Sequence, residues 1–258
     1  MEQSKCRPSD KFAFILHGWK QNCETDWVLK LIDRLTFHRK GCIVCIDYRH
    51  YAKAPYIQLY RNFKKITDIM YLKLLSLINV GFNPSNGYMF GFSYGGQLAT
   101  QIGAALKPHF TFYNIDTCDM AGPGFDLFNN FDHTIGAELV QCLHSSRDKG
   151  TAFYTCHQNV RLGKCGYTQA AVISQNRFSN HGLCVQIYIN AFDYPFYAIC
   201  NGQKLCGTTS AAVNIPRGYT IGYKENPNMN ITGEIFVPTS ANFPYNVQQD
   251  ELLELSYC

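Results

Sequence analysis

Gly87-Tyr88-Met89-Phe90-Gly91-Phe92-Ser93-Tyr94-Gly95 is the most informative stretch of this chain. Its first five residues read as a strand that stops on glycine, and Gln97 to Leu106 beyond it has the composition of a helix. Gly91 to Gly95 fits G-x-S-x-G, and between a strand and a helix that pentapeptide reads as a nucleophile elbow. The sharp turn forces Ser93 into a strained conformation that side chains at the flanking positions would obstruct, hence Gly91 and Gly95. Ser93 Oγ is then presented above the C-terminal edge of a sheet, where the start of the next helix favours developing negative charge.

Upstream, Phe12 to Leu16 and Cys42 to Asp47 are short apolar runs of the kind buried on both faces of a parallel sheet. Trp27, Leu29, Leu31, Ile32 and Leu35 recur between them at helical spacing, which makes a β-α-β unit. From Ala54 to Asn79, Ile57, Tyr60, Phe63, Ile66, Ile69, Leu72, Leu75 and Ile78 mark an apolar stripe at intervals of three. It predicts one long helix or two, with that stripe in the core. Downstream, Thr111 to Ile115 is a further strand. Strands alternating with helices specify an α/β fold with a mostly parallel central sheet and helices on both faces. Beyond about residue 145, glycines, cysteines and aromatics with little helical periodicity predict a loop-rich, disulfide-rich half, with Thr232 to Thr239 as an edge strand. No repeat or linker divides residues 1–258, so one domain is expected.

A serine becomes a useful nucleophile only beside a positioned imidazole, itself oriented by a carboxylate. In folds with this elbow the order is Ser, then Asp or Glu, then His. Asp116 and Asp119 both follow the strand at Thr111 to Ile115, and position alone does not choose between them. His17, His38, His50, His109 and His133 come too early or too close behind the acid, which leaves His144, His157 and His181. His144 ends the apolar run Leu139 to Leu143 and reads as packed. Ser179-Asn180-His181-Gly182 reads as a polar turn that projects its imidazole, so His181 is the favoured base.

The 258 residues are 46% hydrophobic and 16% charged, enough to bury one large core. A net charge of +4 is scattered along the chain, which argues against a nucleic-acid partner. The short cluster Arg61, Lys64 and Lys65 reads as a solvated helix face, or as a weak attraction to anionic lipid surfaces. The longest apolar runs fall far short of the roughly 20 residues that cross a bilayer. Twelve cysteines argue for an oxidising compartment and a secreted protein. Spacing suggests a small disulfide loop from Cys200 to Cys206, and without a CxxC pair no structural metal is expected. Met1 to Arg7 is polar where a signal peptide would be apolar. Asn230-Ile231-Thr232 is a glycosylation sequon.

Several segments together resemble the pancreatic-lipase family, in its small insect phospholipase A1-like form without a C-terminal PLAT domain. His17-Gly18-Trp19 resembles the family's HGW turn, and Asp47-Tyr48-Arg49 through Ala52 its D-W-x-x-x-A strand end. Asp119-Met120-Ala121-Gly122-Pro123-Gly124-Phe125 resembles L-D-P-A-G-P-x-F, Val140 to Ser145 the V-x-x-I-H-T strand, and Asn180-His181 the C-N-H histidine. The resemblance implies an α/β-hydrolase fold and a triad of Ser93, Asp119 and His181, selecting Asp119 over Asp116. It also implies an oxyanion hole from the backbone N–H groups of Trp19 and Tyr94, and chemistry with no cofactor. The family carries strands ahead of HGW that sixteen residues cannot supply, so the chain is expected to be truncated at its N-terminus. A lid bounded by Cys165 and Cys184 would be short, the pattern of phospholipase A1 acting on phospholipid at a lipid or membrane surface. A triacylglycerol lipase and a non-catalytic, yolk-protein-like lipid binder are the alternatives; retention of all three triad residues argues against the binder.

Overall fold

The computed structural model describes residues 6–127, 131–175, 178–200 and 202–252. Seven strands, β1 (Phe12–Leu16), β2 (Cys42–Ile46), β3 (Gly87–Phe92), β4 (Phe112–Cys118), β5 (Ala137–His144), β6 (Gln158–Leu162) and β7 (Gly233–Val237), form one sheet in the order β2-β1-β3-β4-β5-β6-β7. The pairings β1–β2, β1–β3, β5–β6 and β6–β7 are parallel. The helices are α1 (Asp26–His38), α2 (Arg49–Ala52), α3 (Tyr56–Arg61), α4 (Phe63–Ile78), α5 (Tyr94–Leu106), α6 (Ala170–Gln175), α7 (Asn180–Asn190), α8 (Gly202–Cys206) and α9 (Gln249–Leu252). None is long and apolar enough to cross a membrane among the described residues. Contacts divide the chain into two compact units, Met1–Thr117 with Asp132–Val140, and Cys118–Phe131 with Gln141–Cys258.

In the first unit, every residue of β1 is buried, as its unbroken apolar run predicts for an interior parallel strand. Phe12 meets Phe82 edge-on at 4.5 Å, and Phe110 and Phe112 extend this aromatic cluster. Helix α1 buries Trp27, Val28, Leu31 and Leu35, while Leu29 from the expected set faces solvent. The stretch from Ala54 to Asn79 breaks at Asn62 into α3 and α4, and its buried face is Leu59, Ile66, Met70 and Leu74. Ile57, Ile69 and Leu72 of the expected stripe are exposed. An interval of three residues falls about 60° short of a full turn at 3.6 residues per turn, so such a stripe winds off the buried face. Between β2 and α4 lies an apolar cavity of about 710 Å³, lined by residues such as Ile43, Ile66, Met70 and Leu74 and by none of the candidate catalytic residues.

Strand β4 runs to Cys118, three residues beyond the strand expected at Thr111 to Ile115, so Asp116 lies inside a strand and not in the loop after it. Its buried carboxylate accepts hydrogen bonds from Tyr88 Oη at 2.9 Å and Asn114 Nδ2 at 3.2 Å, which is what lets a strand continue through an acidic residue.

The second unit holds an 11-residue helix, α7, where a polar turn and loops were expected. Leu183, Cys184, Val185, Ile187, Tyr188 and Ile189 are all buried; a helix covered on most sides needs no polar face and so shows no amphipathic period. Ser179 caps it, accepting the Gly182 N–H at 3.0 Å. The last strand, β7, lies at the sheet's edge as expected. Its buried Glu234 pairs with Arg161 at 2.5 Å. Burial alone would raise this carboxyl, but hydrogen bonds from Ser210, Thr208 and Arg161 hold it below its usual range.

The disulfides correct both expected cysteine loops. Cys165 pairs with Cys206 and Cys118 with Cys184, beside Cys6–Cys42, Cys23–Cys45 and Cys142–Cys156, and Cys200 is bonded as well. Pairing follows tertiary placement: Cys184 on α7 faces the end of β4, with Cα atoms 5.6 Å apart, whereas spacing along the chain carries no such information.

Candidate active site

In the first unit the strand register brings two turns together. Leu16 pairs with Gly91, so the turn after β1 and the turn after β3 emerge side by side at the C-terminal ends of parallel strands. Ser93 occupies the second turn with φ 55° and ψ −122°, the strained elbow its flanking glycines predict, and α5 begins at Tyr94. A Cβ on Gly91 would stand 2.4 Å from the Gly95 carbonyl oxygen. One on Gly95 would stand 2.3 Å from the Leu16 carbonyl oxygen and 2.4 Å from that of His17. Both positions therefore exclude any side chain.

The His17-Gly18-Trp19 turn packs on this elbow, since a Cβ on Gly18 would approach Ser93 Cβ to 3.3 Å. Its shape is held by Gly18 N–H donating to Gln21 Oε1 at 2.9 Å and Lys20 N–H donating to the Ala52 carbonyl at 3.0 Å. His17 is buried, stacked on Tyr48 at 4.1 Å, and burial keeps its imidazole below the ordinary range. Tyr48 Oη donates to the His17 carbonyl. Tyr94 is buried with its hydroxyl on the Leu59 carbonyl at 2.9 Å, and burial pushes the phenol well up. Trp19 is exposed, its indole N–H on the Ala54 carbonyl at 2.8 Å.

Within the second unit, an acid and a base are in contact. Asp119 stands just past β4 at φ 43°, its N–H on the Leu143 carbonyl at 2.7 Å. Its fully buried carboxylate receives His181 Nδ1 on Oδ2 at 2.6 Å. Oδ1 accepts the Ser145 and Ser146 N–H groups at 2.7 and 3.0 Å, and Oδ2 also accepts the Ser146 hydroxyl at 2.5 Å. Because a carboxylate only accepts here, Nδ1 carries the proton and the imidazole tautomer is set. The Cys118–Cys184 disulfide ties the residue before Asp119 to the helix that bears His181.

Asp116 and His144 take other roles. Asp116 is bound within β4, and His144 is buried against Tyr154, with Nε2 3.3 Å from Asn159 Oδ1. Burial lowers its pKa to about 4, so it stays neutral at ordinary pH. Sequence reading missed Ser145, Ser146 and Gly150 around the acid; two serines and a glycine in a loop carry no pattern that would single them out. No group of three or more His, Cys, Asp or Glu is placed to hold a metal among the described residues. Asn230 is exposed in the turn before β7, as an acceptor of glycan would need to be.

Comparison with known proteins bears on the family and the fold. The family model described as Lipase matches residues 1–164. Pancreatic lipase-related protein 2 of Myocastor coypus is 30% identical over 98 residues, 38% of this chain and 21% of that protein. Pancreatic triacylglycerol lipase of Oryctolagus cuniculus is 27% identical over 123 residues, 47% of this chain and 26% of that protein. The matches thus span under a third of the length of these relatives. Among solved structures, an alpha/beta-superfamily hydrolase from Xanthomonas campestris pv. campestris aligns over 70% of this chain and 95% of its own, with 16% identity and a TM-score of 0.40. The parallel sheet with a serine elbow after β3 is an α/β-hydrolase fold.

Proposed function

We propose, because this chain belongs to the Lipase family, that it is a serine hydrolase of lipid esters, and within that class a phospholipase A1 cleaving the sn-1 acyl ester of phospholipids. The observation that carries the hydrolase reading is the buried Asp119 carboxylate bound to His181 Nδ1 at 2.6 Å, which leaves a histidine oriented as a general base. In this reading Ser93 Oγ attacks the ester carbonyl while His181 takes its proton. The tetrahedral oxyanion is met by the N–H groups of Trp19 and Tyr94. His181 then protonates the departing alcohol, and water, deprotonated by the same imidazole, releases the fatty acid from Ser93. Asp119 keeps the tautomer and offsets the imidazolium charge.

The phospholipid reading is supported by how little chain separates β6 from α7. Within residues 163–179, Gln169 is buried, its side-chain amide donating to the Ser145 and Leu162 carbonyls at 3.1 and 3.0 Å. Only residues 170–179 remain for a lid, of which 176 and 177 lie outside the described residues. The cysteine pair expected to bound that lid is not formed, so segment length is the support that stands. The triacylglycerol alternative is favoured by the name of the rabbit relative. In this proposal the protein works in an oxidising, extracellular setting at a lipid surface, which its disulfides fit.

The deciding experiment offers purified protein phosphatidylcholine labelled in its sn-1 chain, and triolein, as matched monolayers. Release of the sn-1 fatty acid with little triolein hydrolysis is expected. Preference for triolein would overturn the phospholipid assignment, and hydrolysis of neither would favour a lipid-binding protein.

A further inference from the structure

We infer that Ser146 is a positioning residue for the triad carboxylate, acting through a relay from Gly150 N–H to Ser146 Oγ to Asp119 Oδ2; this rests on the triad reading proposed above. Gly150 N–H donates to Ser146 Oγ at 3.0 Å, which occupies the acceptor side of the hydroxyl and directs its proton to Asp119 Oδ2 at 2.5 Å. The same Oδ2 meets His181 Nδ1. The two amides on Oδ1 locate one end of the carboxylate, and the Ser146 hydroxyl locates the end that touches the imidazole. Gly150 closes the cradle: a Cβ there would lie 2.5 Å from Asp119 Oδ1, so only glycine lets this backbone reach both groups.

The loop has its own anchors. Gly122 N–H donates to the Lys149 carbonyl at 2.9 Å and Thr151 N–H to the Met120 carbonyl at 2.7 Å. Removing one hydroxyl therefore leaves the loop in place while Oδ2 loses a donor. The carboxylate then gains freedom to turn about its Cβ–Cγ bond, and its less compensated charge draws more strongly on a protonated imidazole.

The test measures hydrolysis of a soluble p-nitrophenyl ester by the full chain across pH, with Ser93→Ala as a control in the same assay. Ser146→Ala is expected to lower kcat roughly tenfold at unchanged KM, the scale of one lost hydrogen bond to a charged group. The acid limb of its kcat/KM profile should move up by about half a pH unit. Ser146→Thr, which keeps the hydroxyl, should restore both values, and Ser146→Ala should add nothing in an Asp119→Asn background. A wild-type rate and acid limb in Ser146→Ala, with Ser93→Ala inactive, would overturn this inference while leaving the triad reading intact. Activity retained by Ser93→Ala would instead remove that reading and this inference with it. If Ser146→Ala does not fold, Ser146→Thr carries the test: a wild-type acid limb is expected, and a shift of half a unit with the hydroxyl present would overturn the inference.

Discussion

Replacing Gly95 by alanine tests whether the close contact between the two turns of the first unit holds the elbow. The new methyl group would sit 2.3 Å from the Leu16 carbonyl oxygen and 2.4 Å from the His17 carbonyl oxygen, about 1 Å inside ordinary contact at both. Neither obstacle is the tip of a flexible side chain. Leu16 is fixed by its pairing with Ile46 on one side and Gly91 on the other, so α5 must move away from the end of β1. Overpacking typically costs 1–3 kcal/mol, and two backbone obstructions place this change near the upper end, about 3 kcal/mol. For a chain of this size that corresponds to a fall of roughly 6–12 °C in Tm. The same shift would part the Trp19 and Tyr94 amides, and a misplacement near 1 Å slows chemistry on the order of a hundredfold. Thermal unfolding followed by circular dichroism and the rate of fluorophosphonate labelling measure the two effects. A Gly95→Ala protein with wild-type Tm and labelling rate would show that this contact does not hold the elbow.

Two further outcomes follow from the second unit. Changing Cys118 and Cys184 together to alanine opens a link of sequence separation 66 and should cost about 4 kcal/mol by the loop-entropy relation; guanidinium unfolding checks it, and a loss below about 1 kcal/mol would contradict it. His144 is held neutral down to about pH 4, so from about pH 6.5 downward the unfolded chain binds a proton that the folded chain refuses. Stability contributed by this residue is therefore full above pH 6.5 and declines toward pH 4, by about 3 kcal/mol in all. Urea midpoints at pH 7 and 4.5 should differ less in His144→Gln than in wild type, and an equal difference would contradict the prediction.

What could be seen in the sequence follows from how each element is buried. Strands β1 and β3 lie inside a parallel sheet, so they appear as unbroken apolar runs, and the elbow appears because two glycines are sterically required around Ser93. Helix α7 was hidden for the opposite reason, since burial on most sides erased the alternation that marks a surface helix. The stripe from Ile57 to Ile78 misled because an interval of three is close to, but not, the helical period; the buried set Ile66, Met70 and Leu74 is spaced by four. The acid needed more than residue type. Asp116 and Asp119 differ in what surrounds them, with Tyr88 and Asn114 around one and Ser145, Ser146 and His181 around the other. The resemblance pointed to Asp119, and the contact with His181 is made there. Disulfide partners were illegible because Cys118 and Cys184 meet only once β4 and α7 are packed.

Time-resolved fluorophosphonate labelling, with the adduct located by mass spectrometry, measures whether Ser93 is a nucleophile activated by the His181–Asp119 pair. A single adduct on Ser93 is expected, with its rate of formation reduced on the order of a thousandfold in His181→Ala. An adduct on a different residue, or labelling of Ser93 at the wild-type rate in His181→Ala, would contradict it.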